Sequence, residues 1–201
     1  MTHRHQARSP SMSSASRVRR NVGAVDGWIL DAVRAEPGSR CLGLWRSASA
    51  LGSRHAVYPV VAWQLVRARG SGRAPWRYAT ALLGADLSQE LLKFLVRRQR
   101  PPHQGRLAPA HGNSLPSRHT TLVTVAATVL ADGSERPALR WSVRALVAAT
   151  AASRLRLAVH WPSDVLCGWL LGAGWAAACQ IGRHPDAPSR GSVLTRRRPS
   201  A

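Results

Sequence analysis

The chain has 201 residues, room for one domain of ordinary size, and carries 29 Lys plus Arg against 9 Asp plus Glu, a formal charge of +20. That excess suits a polyanion-binding protein and equally a membrane protein with arginine-rich loops facing anionic lipid, so the placement of the arginines has to separate the two. Three cysteines, Cys41, Cys167 and Cys179, form no CxxC pair and no even framework, which argues against a zinc module or a disulfide scaffold.

Residues 1–21 are rich in Ser, Arg and His and read as a disordered basic tail; no apolar run of the secretory kind follows their charges. Residues 183–201, with Pro185, Pro188, Pro199 and three consecutive arginines from Arg196, read as a second such tail. The domain between them, 22–182, is expected to be helical. Val25, Trp28, Ile29, Ala32 and Val33 recur at a helical period, and Pro37-Gly38 ends that segment. Cys41 to Leu51 is a second short amphipathic piece; the two suit interfacial helices or one broken segment. His55 to Val66 is apolar but short for a bilayer span.

After an arginine-rich loop from Arg67 to Arg77, an apolar segment runs through Val96 and carries Asp86, Glu90, Lys93 and Arg97 on one helical face. Such a stripe is expected to face a bundle interior or a watery cavity, with Glu90 one turn before Lys93 to hold its ammonium. A polar loop from Arg97 to Arg118 follows, then apolar segments over His119–Ala131, Trp141–Val159 and Ser163–Ile181. The last is the best span candidate, and Gly168 and Gly172 are spaced to let helices approach closely. No stretch alternates as a strand does.

Three pieces carry chemistry. Lys93 to Pro101 supplies Lys93 and Arg100, Pro116 to His119 supplies Ser117, Arg118 and His119, and Ser153 to Asp164 supplies Arg154, His160 and Asp164. A carboxylate four positions after an imidazole can fix the ring tautomer and make one nitrogen more nucleophilic. The same spacing also suits a helix N-cap at Ser163 or Asp164. Fixed cations, a hydroxyl and paired histidines form an inventory for phosphoryl transfer without metal: cations neutralise the phosphoryl oxygens, one histidine attacks, the other protonates the leaving oxygen. His55, His103, His111 and His184 lie in polar surroundings and read as solvated loop residues.

These pieces, in this order and each at the end of an apolar segment, resemble the K-x6-R-P, P-S-G-H and S-R-x5-H-x3-D signature of the type-2 phosphatidic acid phosphatases, a family related to bacterial acid phosphatases and vanadium haloperoxidases. The resemblance implies an all-α integral membrane helical bundle of about five to six helices with an acid phosphatase/haloperoxidase-like core. It implies His160 as the nucleophile forming a phosphohistidine, Asp164 as its orienting partner, and His119 as general acid and then base. Lys93, Arg100, Ser117 and Arg154 would bind phosphate, with Arg118 a helper through its amide. No cofactor or metal is implied. Arg118 stands where the family usually has glycine; its side chain could reach a diphosphate or headgroup, or crowd the pocket.

The expected substrate is a polyprenyl diphosphate or a glycerolipid phosphate. The positive-inside rule puts the loops 97–118 and 154–163 on the outer, periplasmic side of the cytoplasmic membrane and the arginine-rich tails and remaining loops inside. A vanadate-dependent haloperoxidase-like enzyme and an inactive membrane scaffold of the same fold are the alternatives. A nucleic-acid partner is not expected, because the arginines cluster in loops and tails and the tryptophans lie at segment ends.

Overall fold

One helix is surrounded by the others. The computed structural model describes residues 14–69 and 74–181, omitting the side chains of 14–20 and 103. Among the described residues it contains seven α-helices: α1 (Ser14–Val33), α2 (Leu42–Ala50), α3 (Arg54–Ala68), α4 (Trp76–Val96), α5 (Arg118–Ala131), α6 (Pro137–Arg156) and α7 (Pro162–Ala178). α5 packs against α3, α4, α6 and α7, while α2 lies on α6 and α1 crosses α6 and α7.

The α5 sequence is Thr- and Val-rich and has poor intrinsic helix propensity, yet burial on all sides keeps it helical. Its hydroxyls are satisfied inside the helix. Thr121, Thr124 and Thr128 donate to the carbonyls of Ser117, Thr120 and Thr124 at 3.0, 2.7 and 2.8 Å, so none of these three hydroxyls is left orphaned. Around α5, Val57 and Val61 of α3, Ala81, Leu82 and Ala85 of α4, and Ala176 of α7 close a core on Leu122, Val125 and Val129.

The Gly168–Gly172 pair does what its spacing promises. A Cβ at Gly168 would lie 2.6 Å from the Ser117 carbonyl oxygen, and one at Gly172 would lie 2.5 Å from that of Thr121. α7 therefore rests backbone to backbone on α5, and the Ser117 N–H donates to the Asp164 carbonyl at 2.9 Å.

Three boundaries differ from the sequence reading. α1 begins at Ser14, inside the stretch read as a disordered tail, and Arg118 and Pro137 open α5 and α6 earlier than periodicity suggested. The helix count exceeds the expected five to six because Val22–Leu51 resolves into two separate helices. Residues 1–13 and the tail 183–201 lie outside the described residues. None of the described helices is long and apolar enough to cross a membrane; α7, the best span candidate, has 17 residues.

Candidate active site

α4, α5, α6 and α7 present their motif ends together, and two left-handed residues turn the chain back toward that end. Arg97 (φ 51°) caps α4, its N–H donating to the Lys93 carbonyl at 3.1 Å. Ala158 (φ 52°) follows α6, and the Val159 N–H then donates to the Arg154 carbonyl at 3.1 Å. Each turn brings the loop that follows it back over the last helical turn. Lys93 is thereby placed with Arg100, and Arg154 with His160.

His160, Asp164, Arg154, Lys93 and Ser117 are all buried. The Arg100 guanidinium is held by backbone carbonyls: it donates to His111, Gly112, Asn113 and Val159. Its Nη1 also lies 3.0 Å from His160 Nε2. A guanidinium can only donate, so this contact makes Nε2 the nitrogen with the lone pair and leaves the ring proton on Nδ1. Nδ1 lies 3.5 Å from Asp164 Oδ2, a distance of electrostatic contact rather than a hydrogen bond. Burial, and then the charges of Arg154, Arg100 and Lys93, push the His160 imidazole well below its ordinary range.

Asp164 lies beside the His160 ring and near the start of α7, where Trp161, and not Ser163 or Asp164, is the N-cap residue. Asp164 is the third residue of α7, and its Oδ2 accepts from the Trp161 N–H at 2.9 Å, satisfying a helix-end donor. Its Oδ1 accepts from Arg98 Nη1 at 2.7 Å. Ser117 is the N-cap residue of α5 but makes no side-chain capping bond; its hydroxyl accepts from Thr120 Oγ1 at 3.1 Å. His119, in the first turn of α5, is pushed down to a pKa of about 3 by burial and then by the charges of Arg154, His160, Arg118 and Lys93, and has no hydrogen-bond partner among the described residues. Arg154 donates to the Ser49 hydroxyl and keeps its buried Nε without a partner.

Glu90 does not hold Lys93. It accepts instead from Arg54 Nη2 at 3.0 Å and from Arg118. The Arg118 side chain is thus turned onto Glu90, and only its amide is left to the N-terminal end of α5. Of the charged stripe on α4, Asp86 and Lys93 face inward, whereas Arg97 is exposed and bonds the Phe94 carbonyl. His55 and His111 are exposed, and His184 lies outside the described residues. Among the described residues no group of three or more His, Cys, Asp and Glu is arranged to hold a metal ion.

The distribution of carboxylates decides the electrostatics. Asp86 and Glu90 are engaged by Arg54 and Arg118, and Asp26 and Asp164 by Arg98. Lys93, Arg100 and Arg154 are left with no carboxylate partner among the described residues, gathered on His160. A buried group of unpaired cations is a site for an anion.

The sequence reading missed Arg98, Asp26 and Ser49. Arg98 is one of three arginines within four positions, and spacing alone does not say which faces inward. Asp26 had a signal: it is an acid on an apolar helix in a chain with few acids.

The model of the PAP2 superfamily matches residues 74–184. The decaprenylphosphoryl-5-phosphoribose phosphatase of Mycobacterium tuberculosis (strain H37Rv) is 35% identical over 137 residues, covering 63% of this chain and 74% of that protein. The protein of the same name from Mycolicibacterium smegmatis is 35% identical over 131 residues, covering 61% and 68%. Among solved structures, Aquifex aeolicus LpxE superimposes with a TM-score of 0.66 at 21% identity, covering 75% of this chain and 92% of that one. The PAP2-type phosphatidylglycerolphosphate phosphatase of Bacillus subtilis gives 0.71 at 18% identity, covering 82% and 87%. The chain belongs to the PAP2 superfamily and is a phosphoric ester hydrolase.

Proposed function

We propose that this enzyme removes phosphate from a lipid-linked phosphomonoester at the cytoplasmic membrane, by way of a phosphohistidine on His160. The observation that carries the reading is the lone pair of His160 Nε2 directed at Arg100, beside two further cations, Lys93 and Arg154, that no carboxylate neutralises. His160 Nε2 attacks phosphorus while the bond to the lipid oxygen breaks, and His119, which takes up a proton against its depressed range only when the phosphate's negative charge is bound beside it, gives that proton to the oxygen. Neutral His119 then takes a proton from water, whose oxygen attacks the phosphohistidine and releases phosphate. Lys93, Arg100, Arg154, the Ser117 hydroxyl and the Arg118 amide hold the phosphoryl oxygens as charge develops. Asp164 stabilises the Nδ1–H side of the ring throughout.

The lipid part of the proposal has its own support. On α4, Leu83, Leu87, Leu91, Phe94 and Leu95 are all exposed, Leu87 by 70%. Leu166, Trp169 and Leu170 are exposed on α7. Apolar faces of this extent mark a membrane or partner surface, and the exposed tryptophans Trp76 and Trp141, near the starts of α4 and α6, suit a headgroup belt. A groove of about 490 Å³ between α6 and α7 starts at Pro162 and Thr120 and reaches Val147, Val165 and Trp169, room for part of a lipid chain. The names of the curated relatives favour a polyprenyl-linked sugar phosphate over a glycerolipid phosphate. The charge rule favours a site open to the outer face.

The test is phosphate release by detergent-purified protein with chelator present, from a polyprenyl-linked phosphosugar, a polyprenyl diphosphate, phosphatidylglycerol phosphate and a soluble phosphate ester. Release from the first, lost in His160→Ala, is expected. Wild-type turnover by folded His160→Ala would remove the nucleophile assignment, and release from the soluble ester alone would remove the lipid assignment.

A further inference from the structure

Asp26 lies midway along α1, far in sequence from every motif residue, and is 3% exposed. Its Oδ1 accepts from the Ser163 N–H at 2.9 Å, and its Oδ2 from the Ser163 hydroxyl at 2.5 Å and from Arg98 Nη2. Arg98 reaches the other way with Nη1, to Asp164 Oδ1 at 2.7 Å and Ser163 Oγ at 2.6 Å, and its guanidinium lies 5.7 Å from the Trp161 ring centroid. One guanidinium is thus shared between two buried carboxylates, and one of the two faces His160.

Both oxygens of Asp164 have N–H donors before His160 is considered. Its direction is therefore set by Arg98 and the Trp161 amide, not by the imidazole 3.5 Å away. An Arg98 that answered to Asp164 alone would neutralise it, and the ring would face a spent ion pair. With Asp26 present, the two carboxylates and one guanidinium keep one negative charge, on the side of His160.

We propose that Asp26 is a positioning residue for the reaction, which by sharing Arg98 with Asp164 leaves that carboxylate aimed and charged toward His160. This rests on the reading of His160 and Asp164 given above. The alternative is that Asp26 merely docks α1 onto the start of α7 through Ser163.

The two are separable because the charges are opposite. The groups facing His160 and Asp164 are Lys93 from α4, Arg98 and Arg100 from the loop after it, His119 from α5, Arg154 from α6, Cys167 on α7 and Asp26 from α1. Asp26→Asn removes one negative charge from this set and Arg98→Gln one positive charge, with the rest unchanged. In Asp26→Asn, kcat on the best substrate is expected to fall about 10- to 100-fold, with KM held within about threefold. Its acid-side rate limb moves to lower pH, because Arg98 opposes protonation of His160 more strongly. In Arg98→Gln the limb moves to higher pH. Ser163→Ala, which removes the hydroxyl's bonds to Asp26 and Arg98, keeps the Ser163 N–H bond to Asp26 and alters no charge, is expected to cost less than about tenfold and to leave the limb in place.

The proposal is overturned if folded Asp26→Asn keeps wild-type kcat and limb, if both charge variants move the limb the same way, or if Ser163→Ala reproduces the whole effect. Should Asp26→Asn fail to fold, Arg98→Gln decides alone: an unmoved limb overturns the proposal. His160→Ala run alongside separates the two assignments. Turnover without His160 defeats the nucleophile reading, whereas His160-dependent turnover indifferent to Asp26 defeats only this one.

Discussion

Two acid–arginine clusters flank the same three cations, and they are built to different ends. On the α3–α4 side, Arg54 and Arg118 meet Asp86 and Glu90, two charges of each sign, with Tyr58 and Gln89 adding hydrogen bonds to Asp86 at 2.6 and 3.0 Å. That cluster is half open: the Arg54 and Glu90 side chains are 44% and 40% exposed. On the α1–α7 side, Arg98 meets Asp26 and Asp164, one cation against two acids, and both acids are buried. A balanced and wet cluster screens itself. An unbalanced and dry one projects its remaining charge onto whatever it touches, here the Nδ1 side of His160. The first cluster is therefore a wall of the site and the second a part of its chemistry.

The contrast can be broken most severely at Asp164. Asp164→Asn keeps the shape and removes the charge, and is expected to lower kcat by about 10³–10⁴. Glu90→Gln, the matching change in the wet cluster, is expected to cost less than about tenfold; steady-state kinetics of the two variants checks both. Equal losses would erase the distinction.

The second break is thermal. Asp86→Ala strands part of a buried network and is expected to cost about 2–3 kcal/mol, below the full figure for a buried pair because Arg54 is partly solvated. A lowered unfolding midpoint, with kcat within a few-fold in the folded fraction, is the result to look for.

A pH series sharpens the comparison further. His160 is depressed in the folded state, so the unfolded chain takes up its proton first; stability from this group is present above its ordinary value near pH 6.5 and is lost as pH falls below it. The acid-side limb of turnover, set by the need for a neutral His160, is expected well below pH 6, while the alkaline side is set by the proton that His119 must carry with phosphate bound; both are read from kcat against pH.

The smallest effect is expected at Arg118. Arg118→Gly frees Glu90 for Arg54 and opens the space beside the first turn of α5. Turnover of a small phosphate ester is expected to change by less than about threefold, while the ratio of rates on lipid substrates shifts. A uniform loss on every substrate would place Arg118 with the other phosphate-holding groups.

Much of this was legible in the chain. Lys93, Arg100, Arg154 and His160 stand at the ends of apolar segments, and the fold gathers those ends. The Gly168–Gly172 spacing announced the close contact of α5 with α7. What the sequence hid were side-chain directions at equal chemical cost. Glu90 is one turn from Lys93 yet bonds Arg54 and Arg118, because a carboxylate at the rim finds two guanidiniums across the helix gap. Asp26 is invisible to any motif because its partners are 72 and 137 positions away. The start of α1 was lost for another reason: an Arg- and Ser-rich first turn reads as a tail until the helix finds something to pack on.

The backbone bond between Ser117 and Asp164 has a consequence for motion. With Gly168 and Gly172 pressed on the carbonyls of α5, neither helix can slide without breaking that bond and the close contact together. The nucleophile's carboxylate and the hydroxyl that would grip phosphate therefore ride on one rigid body. α2, which packs chiefly on α6, lies outside that body. In hydrogen-exchange terms, the Ser117 amide belongs among the slowest in the protein, and amides of α2 among the fastest to open.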